Sequence, residues 1–193
     1  MRLVACLLVL AAAAAPAGVS LASPAPDPKA LVLRLQDVPT GYKVGSAHSV
    51  PLEMAAREAW GKATLERWGY LGGYDARYTL DSDNTADLLS QPALVESTVS
   101  VYRSAAGAHA SVAASAALCK KPPNSELALG TRIGDEAHLC YRKRTVGAVA
   151  SVVYAVIWRD GRLKAGVQIA GFEGAASAAL AVRLAKKQDS RLP

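Results

Sequence analysis

The strongest pattern of hydrophobic and polar positions lies in residues 148–171, AVASVVYAVIWRDGRLKAGVQIAG. The first half is apolar on both sides of a period of two, as a central strand should be. The second half alternates, with Leu163, Ala165, Val167 and Ile169 on the inner side and Arg162, Lys164 and Gln168 outside. Asp160–Gly161 between two β-rich runs predicts a two-residue hairpin turn. Residues 93–103 alternate in the same way. Val95, Val99 and Val101 share one face, and Glu96, Thr98 and Ser100 share the other. Ser104 then suits the N-cap of a helix running to about Cys119. That helix is built almost wholly of small residues, which lets it lie close on a sheet. Lys120 and Lys121 suit its negative end, and Pro122–Pro123 stop it.

Residues 68–78, WGYLGGYDARY, are less simple. The chain has eleven aromatic residues, and Trp68, Tyr70, Tyr74 and Tyr78 fall here. Tyrosines four apart suit one helix face, but Gly72 and Gly73 would each cost a helix about 1 kcal/mol relative to alanine. At a period of two, Tyr70, Gly72, Tyr74, Ala76, Tyr78 and Leu80 share a side, while Asp75 and Arg77 fall on the other. The expectation is a strand with its tyrosine side toward a core, the glycines marking a bulge or a close approach. A buried tyrosine needs a partner for its hydroxyl, so such rings favour the rim of a core. Trp68, Tyr70, Tyr74 and Tyr78 are therefore candidates for the wall of a ligand cleft. Core packing alone is the plainer reading.

Elsewhere the pattern is coarser. Residues 28–35 suit a short helix broken by DVPTGY, and residues 42–49 a short strand. Residues 51–68 read as one helix, with Pro51 in its first turn, Glu53 at the positive end and Gly69 at the stop. LDSDNTADLLSQP reads as a polar loop. It is not a calcium-binding EF-hand loop, because Ala86 and Pro92 stand where the turn glycine and bidentate glutamate are required. Residues 133–144 turn into a strand, and residues 175–188 form a last helix. Hairpin-joined strands with helices between them predict an α+β fold: a mainly antiparallel sheet of about five to six strands packed with three main helices.

The first 22 residues change the setting. Arg2 precedes an apolar run, and Ser20–Leu21–Ala22 has the small-x-small form of a signal-peptidase site. The expectation is a signal peptide over 1–22 cleaved after Ala22, and a single secreted domain over 23–193 that opens with a short linker over 23–28. LVAC at residues 3–6 lies too near the start to serve as a lipoprotein box, so no transmembrane or lipid anchor is expected after processing. The mature chain keeps two cysteines, Cys119 and Cys140, which in an exported protein are expected to form a disulfide. The charge is uneven. Residues 23–119 carry 8 basic and 10 acidic groups, and residues 120–193 carry 13 and 6. The basic half suits anionic partners such as envelope polymers or lipid headgroups; a solvated basic face is the plainer reading. Nucleic acid is not expected.

Catalytic motifs are absent: there is no GxSxG, HExxH, GxGxxG or P-loop pattern. None of His48, His109 and His138 has a metal-ligand neighbour at the usual spacing, and neither a metal nor a cofactor is expected. Asp135 and Glu136 are adjacent, so in a strand they point apart. VYRSAAGAHASV, IGDEAHL and RDGRLKAGVQIAG, followed by an alanine-rich helix, resemble exported domains of actinobacteria. These are the extracellular sensor domains of serine/threonine kinases and related small lipoproteins, with a PsbP-like shape. The resemblance spans roughly residues 93–190 and implies an antiparallel sheet flanked by helices that binds a ligand or partner without catalysis. It transfers no functional residue. The expected function is a secreted, non-catalytic ligand- or partner-binding domain of the bacterial envelope or exterior. The alternative is a secreted, hydrolase-like enzyme whose site is dispersed along the chain.

Overall fold

A computed structural model of the protein describes residues 26–146 and 149–193. The expected signal peptide, its cleavage point after Ala22 and the start of the linker lie outside the described residues. The seven described strands are β1 (Tyr42–Val50), β2 (Tyr70–Leu80), β3 (Leu94–Tyr102), β4 (Asn124–Leu127), β5 (Glu136–Val146), β6 (Val149–Asp160) and β7 (Leu163–Phe172). They form one sheet in the order β1-β2-β3-β7-β6-β5-β4, antiparallel throughout. The six described helices are α1 (Pro28–Leu31), α2 (Leu52–Ala55), α3 (Lys62–Trp68), α4 (Thr85–Ser90), α5 (Ala105–Cys119) and α6 (Ala178–Asp189).

The α+β class is as expected, with more strands than predicted. β4 is short and mostly polar, so it has little hydrophobic signature. The expected polar loop contains α4, whose N-cap is Asn84: its side chain accepts from the Ala86 N–H. The expected helix over 51–68 is broken. After α2 the chain makes one π-helical turn, Ala56–Trp60, and Gly61 then adopts φ 70°, which ends it before α3. That left-handed φ is open to glycine at little cost. The hairpin turn lies one residue further on than expected. Asp160 pairs with Leu163, so Gly161 and Arg162 form the loop.

One face of the sheet carries the main core. Val95, Val99, Val156, Trp158, Val167 and Ile169 are buried against Ala181, Leu184 and Ala185 of α6 and against Leu31 and Leu33. A chain of hydrogen bonds crosses this face. The Leu33 N–H donates to Ser97 Oγ (2.9 Å), Ser97 Oγ to Gln188 Oε1 (2.8 Å), and Gln188 Nε2 to the Thr98 carbonyl (3.0 Å).

Asp37 ties the N-terminal segment to the end of α6. Its carboxylate is only 3% exposed, pairs with Arg191 and with Lys187 at 3.2 Å, and accepts the Arg34 N–H at 2.6 Å. Burial alone would push this carboxyl up, but the N–H bond and the two cations outweigh it and hold it below the usual range. A folded-state pKa lowered in this way contributes stability above the unfolded value of about 3.9, and that stability is lost as pH falls through the folded value. Urea unfolding of wild type and Asp37→Asn from neutral pH down to acid should therefore show the two curves converging only below about pH 4. A constant gap between them down to the lowest pH would contradict the ion cluster.

Candidate functional site

The second face of the sheet is not left to solvent. α5 lies across it as a roof. Ser104 Oγ caps its start by accepting the Gly107 N–H at 3.2 Å. At Gly107 the helix approaches the end of α3 so closely that an added Cβ would stand 1.8 Å from the Trp68 carbonyl oxygen. At the other end Cys119 is bonded to Cys140 of β5, with the two Cα atoms 5.2 Å apart. The small residues expected to bring this helix close to the sheet do so: Ala108, Ser111 and Val112 have no exposed surface.

Opposite the roof stands the helical stretch over residues 52–68. Leu65, Tyr70, Tyr102 and Ala108 form a second, small core there, with Trp60 and Trp68 packed against it. The Trp60 and Trp68 rings meet edge to face at 5.4 Å.

Between roof and wall lies a cleft. Three adjoining cavities of about 200, 220 and 470 Å³ share Thr98 and Lys164 in their linings. Strand register builds the floor in rows. Ser100 is opposite Lys164, Thr98 opposite Gly166, and Glu96 opposite Gln168, with Ile157 and Ala155 continuing the last two rows on β6. Gly166 keeps the middle row low, since a Cβ there would meet Thr98 Oγ1 at 2.9 Å.

Lys164 is the chemical centre of this cleft. Its ammonium donates to Ser115 Oγ at 2.7 Å and Ser111 Oγ at 3.2 Å. Among the described residues no carboxylate forms an ion pair with it. Burial between sheet and roof strips its water and pushes its pKa down to about 8. It therefore remains largely charged at neutral pH. The hydroxyls around it are already committed: Ser115 Oγ also donates to the Ser111 carbonyl (3.0 Å), and Ser111 Oγ accepts from Tyr102 (2.7 Å). The result is an ammonium solvated by two serine hydroxyls.

Lys164 was expected on the outer side of its strand, and it is, but that side is roofed. The expected single tyrosine face of β2 is also corrected. A register shift between Tyr70 and Gly72 forms a bulge, and Gly72 takes φ 153°. Every side chain before the bulge changes face. Tyr70 thus lines the cleft, donates from its hydroxyl to the Val50 carbonyl at 2.7 Å, and meets Tyr102 edge to face at 5.7 Å. Tyr78 lies on the opposite face, buried in the main core, with its hydroxyl donating to the Leu33 carbonyl at 2.6 Å. Tyr74 is half-buried against that same core. Trp68 packs in the wall beside Trp60.

The histidines are elsewhere. His109 and His138 contact Glu136 and Glu126 at 2.6 Å, and His48 lines a small hollow with Asp75, Arg77 and Glu96. Among the described residues no cluster of His, Cys, Asp or Glu could hold a metal ion, and no helix is long and apolar enough to cross a membrane. Sequence reasoning missed Lys164, Trp60, Ser111 and Ser115. A usable signal existed in the serines: at four-residue spacing on a helix otherwise made of small apolar residues, they share one face.

No protein-family description and no curated protein matches the chain. Among solved structures it is similar to the extracellular domain of PknH from Mycobacterium tuberculosis, with a TM-score of 0.49 and 12% identity over 84% of this chain and 94% of that one.

Proposed function

We propose that the protein is an extracytoplasmic, non-catalytic binding domain that holds a small ligand in the cleft beneath α5. The mature chain would be the single domain over residues 23–193, released by cleavage after Ala22. The observation that carries the proposal is Lys164: a half-buried cation in a cleft, paired with no carboxylate among the described residues. Such an arrangement costs stability unless something else gains from it. The Cys119–Cys140 bond supports an oxidising compartment. Of the aromatic residues singled out in the sequence, Tyr70 supports the cleft-wall reading most directly.

A serine–lysine hydrolase is the second reading, favoured by the 2.7 Å contact between Ser115 Oγ and Lys164 Nζ. It is weaker because the Ser115 proton is directed at the Ser111 carbonyl rather than at the amine. A fluorophosphonate probe separates the two: labelling of Ser115 would establish the hydrolase.

Native mass spectrometry of protein purified from its own host tests the binding proposal. Wild type is expected to retain a small molecule that Ala155→Phe loses, because Ala155 lines the cleft floor. Equal retention by both, or no bound molecule in either, would overturn it.

A further inference from the structure

We infer that the ligand is an amphiphile with one oxyanion group, a carboxylate or a phosphate, seated on Lys164 between Ser111 and Ser115, and with an apolar chain lying along the trough between α5 and β6. This rests on the cleft being a binding site, and it specifies the chemistry of the occupant.

The polar end follows from what Lys164 lacks. Two neutral hydroxyls solvate its ammonium, and no described carboxylate neutralises it. An oxyanion would supply charge-assisted hydrogen bonds of the stronger kind. A neutral ligand would leave the half-buried charge uncompensated, and a cation would be repelled. The neighbouring residues limit the ligand to one such group on this side. Asp75 and Glu96 line the smaller adjoining cavity, with Glu96 engaged by Arg77 at 3.3 Å, so a second acidic group directed there would meet carboxylates.

The apolar end follows from the direction in which the cleft widens. The largest of the three adjoining cavities, about 470 Å³, lies within the range of small-ligand clefts, about 300–1,000 Å³. Its lining is mixed, with Asn124 and Gln168 among its members, and its apolar part is Leu118 of the roof, Val153, Ala155 and Ile157 of β6, and Trp60 of the wall. Leu118 is 44% exposed although it is large and apolar, so a chain lying beside it would cover surface now in contact with water. Arg142 stands at the far margin of the same cavity. A head seated on the lysine with a chain running outward uses the ammonium and the apolar part of this lining. A small inorganic anion would use only its deepest part.

Calorimetry on the mature protein with dodecanoate, dodecyl phosphate, dodecanol, dodecyltrimethylammonium and inorganic phosphate, each below its micelle concentration, tests this. Tryptophan fluorescence, compared between wild type and Trp60→Phe to isolate the cleft-wall ring, gives a second readout. At least one anionic chain is expected to bind at least tenfold more tightly than dodecanol, the trimethylammonium compound and inorganic phosphate. Comparison of the two anionic chains tells a carboxylate from a phosphate site. Lys164→Met should lose tenfold or more for the anionic chains without weakening dodecanol, and Lys164→Arg should retain most of the binding. Ala155→Phe should weaken every chain. Dodecanol binding as tightly as the anions, or Lys164→Met leaving the anions unaffected, would overturn the inference. So would the absence of binding by all five probes. If the host-derived ligand is lost in Ala155→Phe yet proves neutral or cationic, the cleft stands as a binding site and only the oxyanion assignment falls.

Discussion

Replacing Tyr78 with alanine is expected to cost about 3–5 kcal/mol of folding stability, in line with truncation of other large buried aromatics. Tyr78 is 4% exposed and sits in the main core beneath the N-terminal segment, which its hydroxyl holds through the Leu33 carbonyl. Truncation would open a cavity and release that segment from β2 together. Tyr78→Phe separates the two effects, and losing the hydrogen bond alone should cost about 1 kcal/mol. Tyr74→Ala should cost measurably less, because its ring is only half-buried. Arg77→Ala, whose side chain is 49% exposed, should stay within about 1 kcal/mol even with its Glu96 pair removed. Urea unfolding of the four variants decides the matter. Equal losses at Tyr74 and Tyr78 would mean that the difference in burial between the two rings does not set their weight in the core.

Removing the disulfide should be the next largest change. The two cysteines are 21 residues apart in sequence, and closing a loop of that length is worth about 3 kcal/mol in the chain-entropy account. The double variant Cys119→Ser/Cys140→Ser should lose about that much in urea unfolding. Reduction of wild type with dithiothreitol should bring it to a similar midpoint. Local effects should follow the global one, with the last turn of α5 exchanging its amide hydrogens faster than its first turn. Unchanged stability after reduction, or thiols in denatured, unreduced protein that react in full, would show that the bond is not formed.

Much of this fold is visible in its pattern. β3, β7 and α5 follow from alternation, from a serine cap and from a hairpin turn, because these signals are local and agree with one another. The cleft is not visible, for three separate reasons. Alternation reports the difference between the faces of a strand. It places Lys164 on the face away from Ala165 but cannot tell that a helix whose serines lie 53 and 49 residues earlier in the chain covers that side. The bulge at Tyr70–Gly72 carries a signal in its glycines, yet a period of two counted straight through them assigns Tyr70 to the wrong face. The stretch over 51–68 has helical spacing throughout, and only the φ of Gly61 shows that it turns, bringing Trp60 to the cleft wall. In each case the missing information is a long-range contact or one dihedral angle.

The two fixed ends of α5 bear on how recognition would proceed. A beam clamped at the Gly107–Trp68 contact and again at the Cys119–Cys140 bond cannot tilt at either support without breaking one of them. The gap beneath it is then set when the chain folds and oxidises, before any ligand arrives. A site of this kind works as a gauge rather than a jaw. It would give up little ordering entropy on binding, admit molecules by calibre, and stay open between encounters. Only reduction of the disulfide would release one support and let the gauge lose its setting.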